Sequence, residues 1–160
     1  MVIKILDKDV SSLIAAGEVV ERPVSIVKEL IENSLDAHAK RVDVIIQEGG
    51  IRSIQVIDNG HGITSSQMEL AFHRFATSKL QTIDELNEIA TLGFRGEALA
   101  SIAAVSDTTM ISRPSSQDVA TKIQLVEGNI VNVEEQGFRL GTSITVSNLF
   151  ENFPARRKFL

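Results

Sequence analysis

The spacing of apolar residues changes twice along this chain. Between Pro23 and Asp36 it is helical: Val27, Leu30, Ile31 and Leu35 can bury, while Glu29, Asn33 and Asp36 share another face. Pro23 suits the first turn of that helix, where its missing N–H costs nothing. Arg41 to Glu48 and Ile51 to Asp58 are β-rich, with Gly49-Gly50 between them as a hairpin signal. Met68, Leu70, Ala71 and Phe75, preceded by Ser66, predict another helix, broken by Thr77-Ser78-Lys79. Thr82 to Glu85 has capping-box spacing for a short helix, and Glu97 to Val105 reads as a helix of small and apolar residues. From Asp107 the period becomes two, predicting strands over Thr108–Arg113, Ala120–Glu127, Ile130–Glu135 and Thr142–Asn148. Upstream, Val2 to Leu6 reads as a short edge strand, and Asp9 or Ser11 caps a short helix ending at Gly17. The pattern describes one layered α/β unit, largely antiparallel in its second half.

Composition narrows the class without naming a chemistry. With 160 residues, 43% hydrophobic and 23% charged, the chain fits one folded domain rather than a disordered or fibrous protein. No apolar run reaches the ~18 residues of a membrane span, and Lys4, Asp7, Lys8 and Asp9 interrupt the N-terminus where a signal peptide is apolar. A cytoplasmic protein without a membrane partner is therefore expected. The lack of Cys removes disulfides, thiolate nucleophiles and Cys-type zinc sites. His38, His61 and His73 have no His-x-x-x-His spacing and read as surface residues. A net charge of −5 does not announce a nucleic-acid binder, with Arg156-Arg157-Lys158 as the local exception.

Four constellations carry candidate chemistry. Glu29 and Asn33, one helical turn apart, offer a carboxylate that can take a proton from water and an amide oxygen suited to a hard cation such as Mg²⁺. Asp58-Asn59-Gly60-His61-Gly62-Ile63 puts a carboxylate at a strand end, able to accept from an exocyclic amine beside glycines that admit a flat ligand. Gly93-Phe94-Arg95-Gly96-Glu97-Ala98-Leu99 places glycines ahead of a helix, a phosphate cradle to which Lys79 can add charge. Gly141-Thr142 offers a hydroxyl and a tight turn to close a base pocket. Singly, each is also an ordinary solvated helix face, turn or loop. Neither a P-loop nor a Gly-x-Gly-x-x-Gly signature is present, so a nucleotide site here is of another kind.

The order of these elements resembles the GHKL ATPase superfamily of type II topoisomerase ATPase lobes, heat-shock chaperones, sensor histidine kinases and MutL-type mismatch-repair proteins. The match is close to the MutL family. It rests on Ile14 to Pro23, Glu29 to Ala37, Ala76-Thr77-Ser78-Lys79, Gly93 to Ser101 and Pro154 to Leu160, and covers essentially the whole chain. The resemblance implies a two-layer α/β sandwich with a mixed, mostly antiparallel sheet that binds ATP and slowly hydrolyses it with Mg²⁺. It implies Glu29 as general base, Asn33 as the Mg²⁺ ligand, Asp58 on the adenine amine, and Gly62, Ile63 and Thr142 shaping the base pocket. Lys79 and the loop from Arg95 through Gly96, Glu97 and Ala98 to Leu99 would hold the triphosphate as a lid; Ala37, Thr77, Ser78, Gly93 and Phe94 are further ATP-contacting positions.

Three positions depart from the family pattern: His38 for Gly, Phe75 for His and Phe153 for Thr. By the same resemblance, residues 1–160 form the N-terminal nucleotide lobe, without the second lobe and C-terminal dimerisation domain. The implied partners are ATP, mismatch-recognition and downstream repair proteins, DNA through the full-length protein, and a second copy in an ATP-dependent homodimer. A cytoplasmic location, nucleoid-associated during repair, follows. Two alternatives stand beside this: a nucleotide-binding or interaction module without turnover, and a histidine-kinase-type ATP domain.

Overall fold

The computed structural model describes residues 22–73 and 98–158. Helix α1 (Pro23–Asp36) is followed by strand β1 (Val42–Gln47), a 3₁₀ turn (Glu48–Gly50) and β2 (Ser53–Asp58). Then come α2 (Ser65–Ala71), α3 (Ala98–Ala104), β3 (Asp107–Arg113), β4 (Ala120–Val126), β5 (Asn129–Gln136), β6 (Gly141–Ser147) and α4 (Pro154–Arg157). The six strands form one sheet in the order β1-β2-β6-β3-β4-β5, and every neighbouring pair is antiparallel. The expected hairpin is present: Gln47 pairs with Ser53, and Gly49 (φ 64) carries the turn.

Strand alternation decides which face is covered. Ile54 and Val56 of β2, Ile144 and Val146 of β6, Met110 of β3, and Ile123 and Leu125 of β4 are buried together. Ile26 and Leu30 of α1, Met68 and Ala71 of α2, and Leu99, Ile102 and Ala103 of α3 pack with them, as do Leu149 and Phe150. Helices on one sheet face give the two-layer α/β arrangement that the sequence implied.

Helix α1 turns differently from the periodicity reading. Its buried stripe is Ile26, Leu30 and Ser34, at steps of four, while Leu35 is 59% exposed. Val27 does pack against the core. Apolar content alone favoured Leu35 as buried; the fold instead puts Ser34 inward because it serves a buried carboxylate, as described below. The expected strand over Val2–Leu6, the helix ending at Gly17, Phe75 and the short helix near Thr82 lie outside the described residues.

Antiparallel register adds one feature that single strands hide. Asp58 pairs with Thr142, Thr142 with Ser112, and Ser112 with Thr121, so a polar row crosses β2, β6, β3 and β4 on the covered face. Two residues along lies an apolar row of Val56, Ile144, Met110 and Ile123.

Candidate functional site

The polar row borders a cleft between α1, the sheet and α3. Val56, Met110 and Ile144 form its apolar floor, with Leu30, Ile63 and Leu99 as apolar walls. Asp58 and Thr142 stand along one side, Asn33, Ser34 and Ala37 along α1, and His61 and Gly62 at the loop after β2. A flat apolar ring with a polar edge matches this division of surface.

Asp58 is 6% exposed, and each of its oxygens already has one donor. Ser34 Oγ donates to Oδ2 at 2.8 Å, and the Gly60 amide donates to Oδ1 at 2.9 Å. A carboxylate has about four acceptor positions, so these two bonds fix its orientation and leave it able to accept from a ligand amine. Ser34 also approaches Leu30 O at 3.2 Å, which ties the hydroxyl to α1. Beside Asp58 on the same side of the cleft, Thr142 Oγ1 lies 2.7 Å from Ser112 Oγ, and the Ile63 amide donates to Ser112 Oγ at 2.8 Å.

The loop following β2 is held by its backbone. Asn59 Oδ1 accepts from the amides of Lys40 and Arg41 at 2.8 and 2.9 Å, and the His61 amide donates to Ala37 O. A Cβ at Gly60 would lie 2.7 Å from Ala37 O, and one at Gly62 (φ 72) would collide with Arg113 O. These glycines are therefore required by chain-on-chain packing, whereas the sequence reading assigned them to ligand approach. His38 has φ 56, the conformation that the family's Gly would suit, and its ring meets His61 edge-to-face at 4.9 Å on the cleft rim.

Of the residues singled out from sequence, Asn33, Ala37, Asp58, Gly62, Ile63, Leu99 and Thr142 line this one cleft. Ala98 begins α3 half-buried but is not part of the lining, and neither is Glu29. Glu29 is half-buried one helical turn before Asn33. Thr77, Ser78, Lys79, Gly93, Phe94, Arg95, Gly96 and Glu97 lie outside the described residues. Arg156, Arg157 and Lys158 are not part of the cleft lining, and Arg156 lies over the Phe150 ring at 5.4 Å. Among the described residues there is no group of three or more His, Asp or Glu arranged to hold a metal ion.

Sequence reasoning passed over Ser34 and Ser112, and it read His61, which lines the cleft, as a surface residue. Ser34 had a signal, a polar residue on the stripe of Ile26 and Leu30. Ser112 is one polar position of an alternating strand, and only the register shows what it stands beside.

Residues 21–151 match the family model described as Histidine kinase-, DNA gyrase B-, and HSP90-like ATPase. DNA mismatch repair protein MutL of Desulforamulus reducens is 53% identical over 158 residues, covering 99% of this chain and 25% of its own length. The protein of the same name from Vibrio parahaemolyticus is 52% identical over 162 residues, covering 100% of this chain and 24% of its own length. Among solved structures, the N-terminal domain of a DNA repair protein aligns with a TM-score of 0.80 at 34% identity, over 96% of this chain and 44% of that one. The Aquifex aeolicus MutL ATPase domain complexed with ADP aligns with a TM-score of 0.66 at 36% identity, over 89% of this chain and 48% of that one. The chain spans about a quarter of the length of these curated relatives.

Proposed function

The chain belongs to the histidine kinase-, DNA gyrase B- and HSP90-like ATPase family and, within it, to the N-terminal ATPase region of the MutL proteins; from that premise we propose that the cleft binds ATP. The observation that carries this is the placing of the buried Asp58 carboxylate and Thr142 at the edge of an apolar floor, with Asn33 on the facing helix. Asp58 accepts from the adenine amine, the ring lies on Val56, Met110 and Ile144, and the phosphates extend past Asn33. On this reading Thr77, Ser78 and Lys79, with the loop from Gly93 through Phe94, Arg95, Gly96 and Glu97 to Ala98 and Leu99, hold the phosphates and act as a lid.

The residues present fit Mg²⁺. Asn33 brings to the cleft a side-chain amide with no hydrogen-bond partner among the described residues, and Mg²⁺ takes its other ligands from water and substrate phosphates. When bound, the ion neutralises phosphate charge. Glu29 makes no hydrogen bond or ion pair with the described residues, and its carboxylate is the general base that orients the attacking water.

The wider role we propose is an ATP-driven conformational and dimerisation switch in DNA mismatch repair. Residues 1–160 supply the nucleotide lobe; a second lobe and a C-terminal dimerisation domain belong to the full-length protein. Mismatch-recognition and downstream repair proteins, DNA and a second copy are its partners there, in the cytoplasm and on the nucleoid during repair.

A thermal-shift series with MgATP, MgADP and metal-free ATP tests this. At a ligand concentration of ~100 Kd, binding adds about 2.7 kcal/mol, which raises Tm by about 5–10 °C for a domain of this size. MgATP is expected to give the larger shift than metal-free ATP. No shift with any nucleotide would overturn the proposal.

A further inference from the structure

Helix α1 ends in a Schellman turn: the Ala39 amide donates to Ser34 O at 3.1 Å and the His38 amide to Leu35 O at 3.0 Å. That turn needs one left-handed residue, a place usually given to glycine, and here it is His38 at φ 56. The His38 ring meets the His61 ring edge-to-face, with centroids 4.9 Å apart and planes at 71°. Folding gains little from this choice. Both histidines are exposed, so their contact shields little surface from water, and glycine would take the turn without strain. What the His38 ring does fix is the direction of His61.

His61 lines the cleft together with Ala37, Asp58 and Gly62, while His38 is outside the lining. The backbone at His61 is fastened on both sides: its amide donates to Ala37 O at 3.0 Å, and the Gly60 amide donates to Asp58 Oδ1 at 2.9 Å. The ring pair therefore stands at the Asp58 end of the cleft. Asn33, where the phosphates pass, lies one helical turn before Ala37. A ring held at the Asp58 end keeps water from competing for the bond between the carboxylate and a bound base. We propose that His38 is a positioning residue: its ring holds the His61 imidazole across the base end of the cleft, where His61 rests against the bound base, shuts water out from Asp58 and slows release. The inference rests on the ATP reading of the cleft and goes beyond it in naming what closes the base end.

The test measures Kd for MgATP, MgADP and adenosine by calorimetric titration, and the release rate by displacement of a fluorescent ATP analogue. It uses the 160-residue chain and the variants His38→Gly, His38→Asn, His38→Phe, His61→Ala and His38→Gly/His61→Ala. His38→Gly and His38→Asn suit the left-handed turn but bring no ring, so each is expected to hold Tm to within about 3 °C. Both are expected to weaken all three ligands equally, by about three- to tenfold, the worth of one aromatic contact, chiefly through faster release. Equal loss for adenosine marks a contact at the base, since a contact with phosphates would spare it. His38→Phe is expected to restore most of the affinity; if it does not fold, the two ringless variants still decide the proposal. In the His61→Ala background, His38→Gly is expected to add less than about twofold, because its effect runs through His61. Ringless variants that bind within about twofold of the unsubstituted chain, weakening that spares adenosine, an additive double variant, or affinity lost only in step with Tm would each overturn the His38 role alone. An unsubstituted chain that binds none of the three ligands would overturn the ATP reading and this inference with it.

Discussion

Replacing Asp58 with Asn removes one charge and almost no volume, and the structure separates its effects on folding and on binding. In the folded protein the carboxylate receives one donor on each oxygen, Ser34 Oγ at 2.8 Å and the Gly60 amide at 2.9 Å. An asparagine can keep one of these on its oxygen while its NH₂ confronts the other. Ser34 can relieve that conflict, because its hydroxyl already lies 3.2 Å from Leu30 O and can turn fully to it, leaving a lone pair for the new amide. The expected loss of stability is therefore only about 1–2 kcal/mol. The nucleotide has no such escape: the adenine amine loses a charged acceptor, worth about 1.5–3 kcal/mol, so ATP should bind about 10- to 150-fold more weakly. Urea denaturation and ATP titration of the same preparation separate the two quantities. An intact fold with an ATP Kd within about threefold of the unsubstituted chain would refute the assignment of Asp58 to the base.

Glu29→Ala should leave the ATP Kd nearly unchanged but reduce any turnover by roughly a hundredfold or more, read by parallel nucleotide titration and phosphate release; unaltered turnover would remove Glu29 from catalysis. Gly62→Ala forces a Cβ onto a residue at φ 72 and into Arg113 O, and should cost at least about 2 kcal/mol, read from the urea midpoint. Ser101, on α3, is fully buried with an Oγ that has no partner among the described residues, so Ser101→Ala should stabilise the chain by about 1 kcal/mol; a loss of stability would mean that the hydroxyl is satisfied in solution.

Long periodic segments made most of the fold legible. Helix α1 was expected over Pro23–Asp36 and is observed there, and the four late strands agree to within a residue or two at each end. Which side of α1 faces the sheet was not legible, because that depends on whom Ser34 serves rather than on apolar content, and Leu35 went outward instead. At the site, Asp58 and Thr142 belong to motifs far apart in sequence that register sets side by side. Ser112 belongs to no motif, and strand pairing, a long-range property, is what gives it meaning. Gly60 and Gly62 were noticed for a sound reason, the need for missing side chains, but what they make room for is the protein's own backbone at Ala37 and Arg113.

The most direct test of the central claim is a two-dimensional amide NMR titration of the chain with MgATP. The account predicts saturable shifts concentrated at Asn33, Gly60, Ile63 and Thr142, the residues that frame the cleft or fix its carboxylate and hydroxyl. Saturation with those amides unmoved, and the shifts gathered instead along β5 or α4, would contradict it.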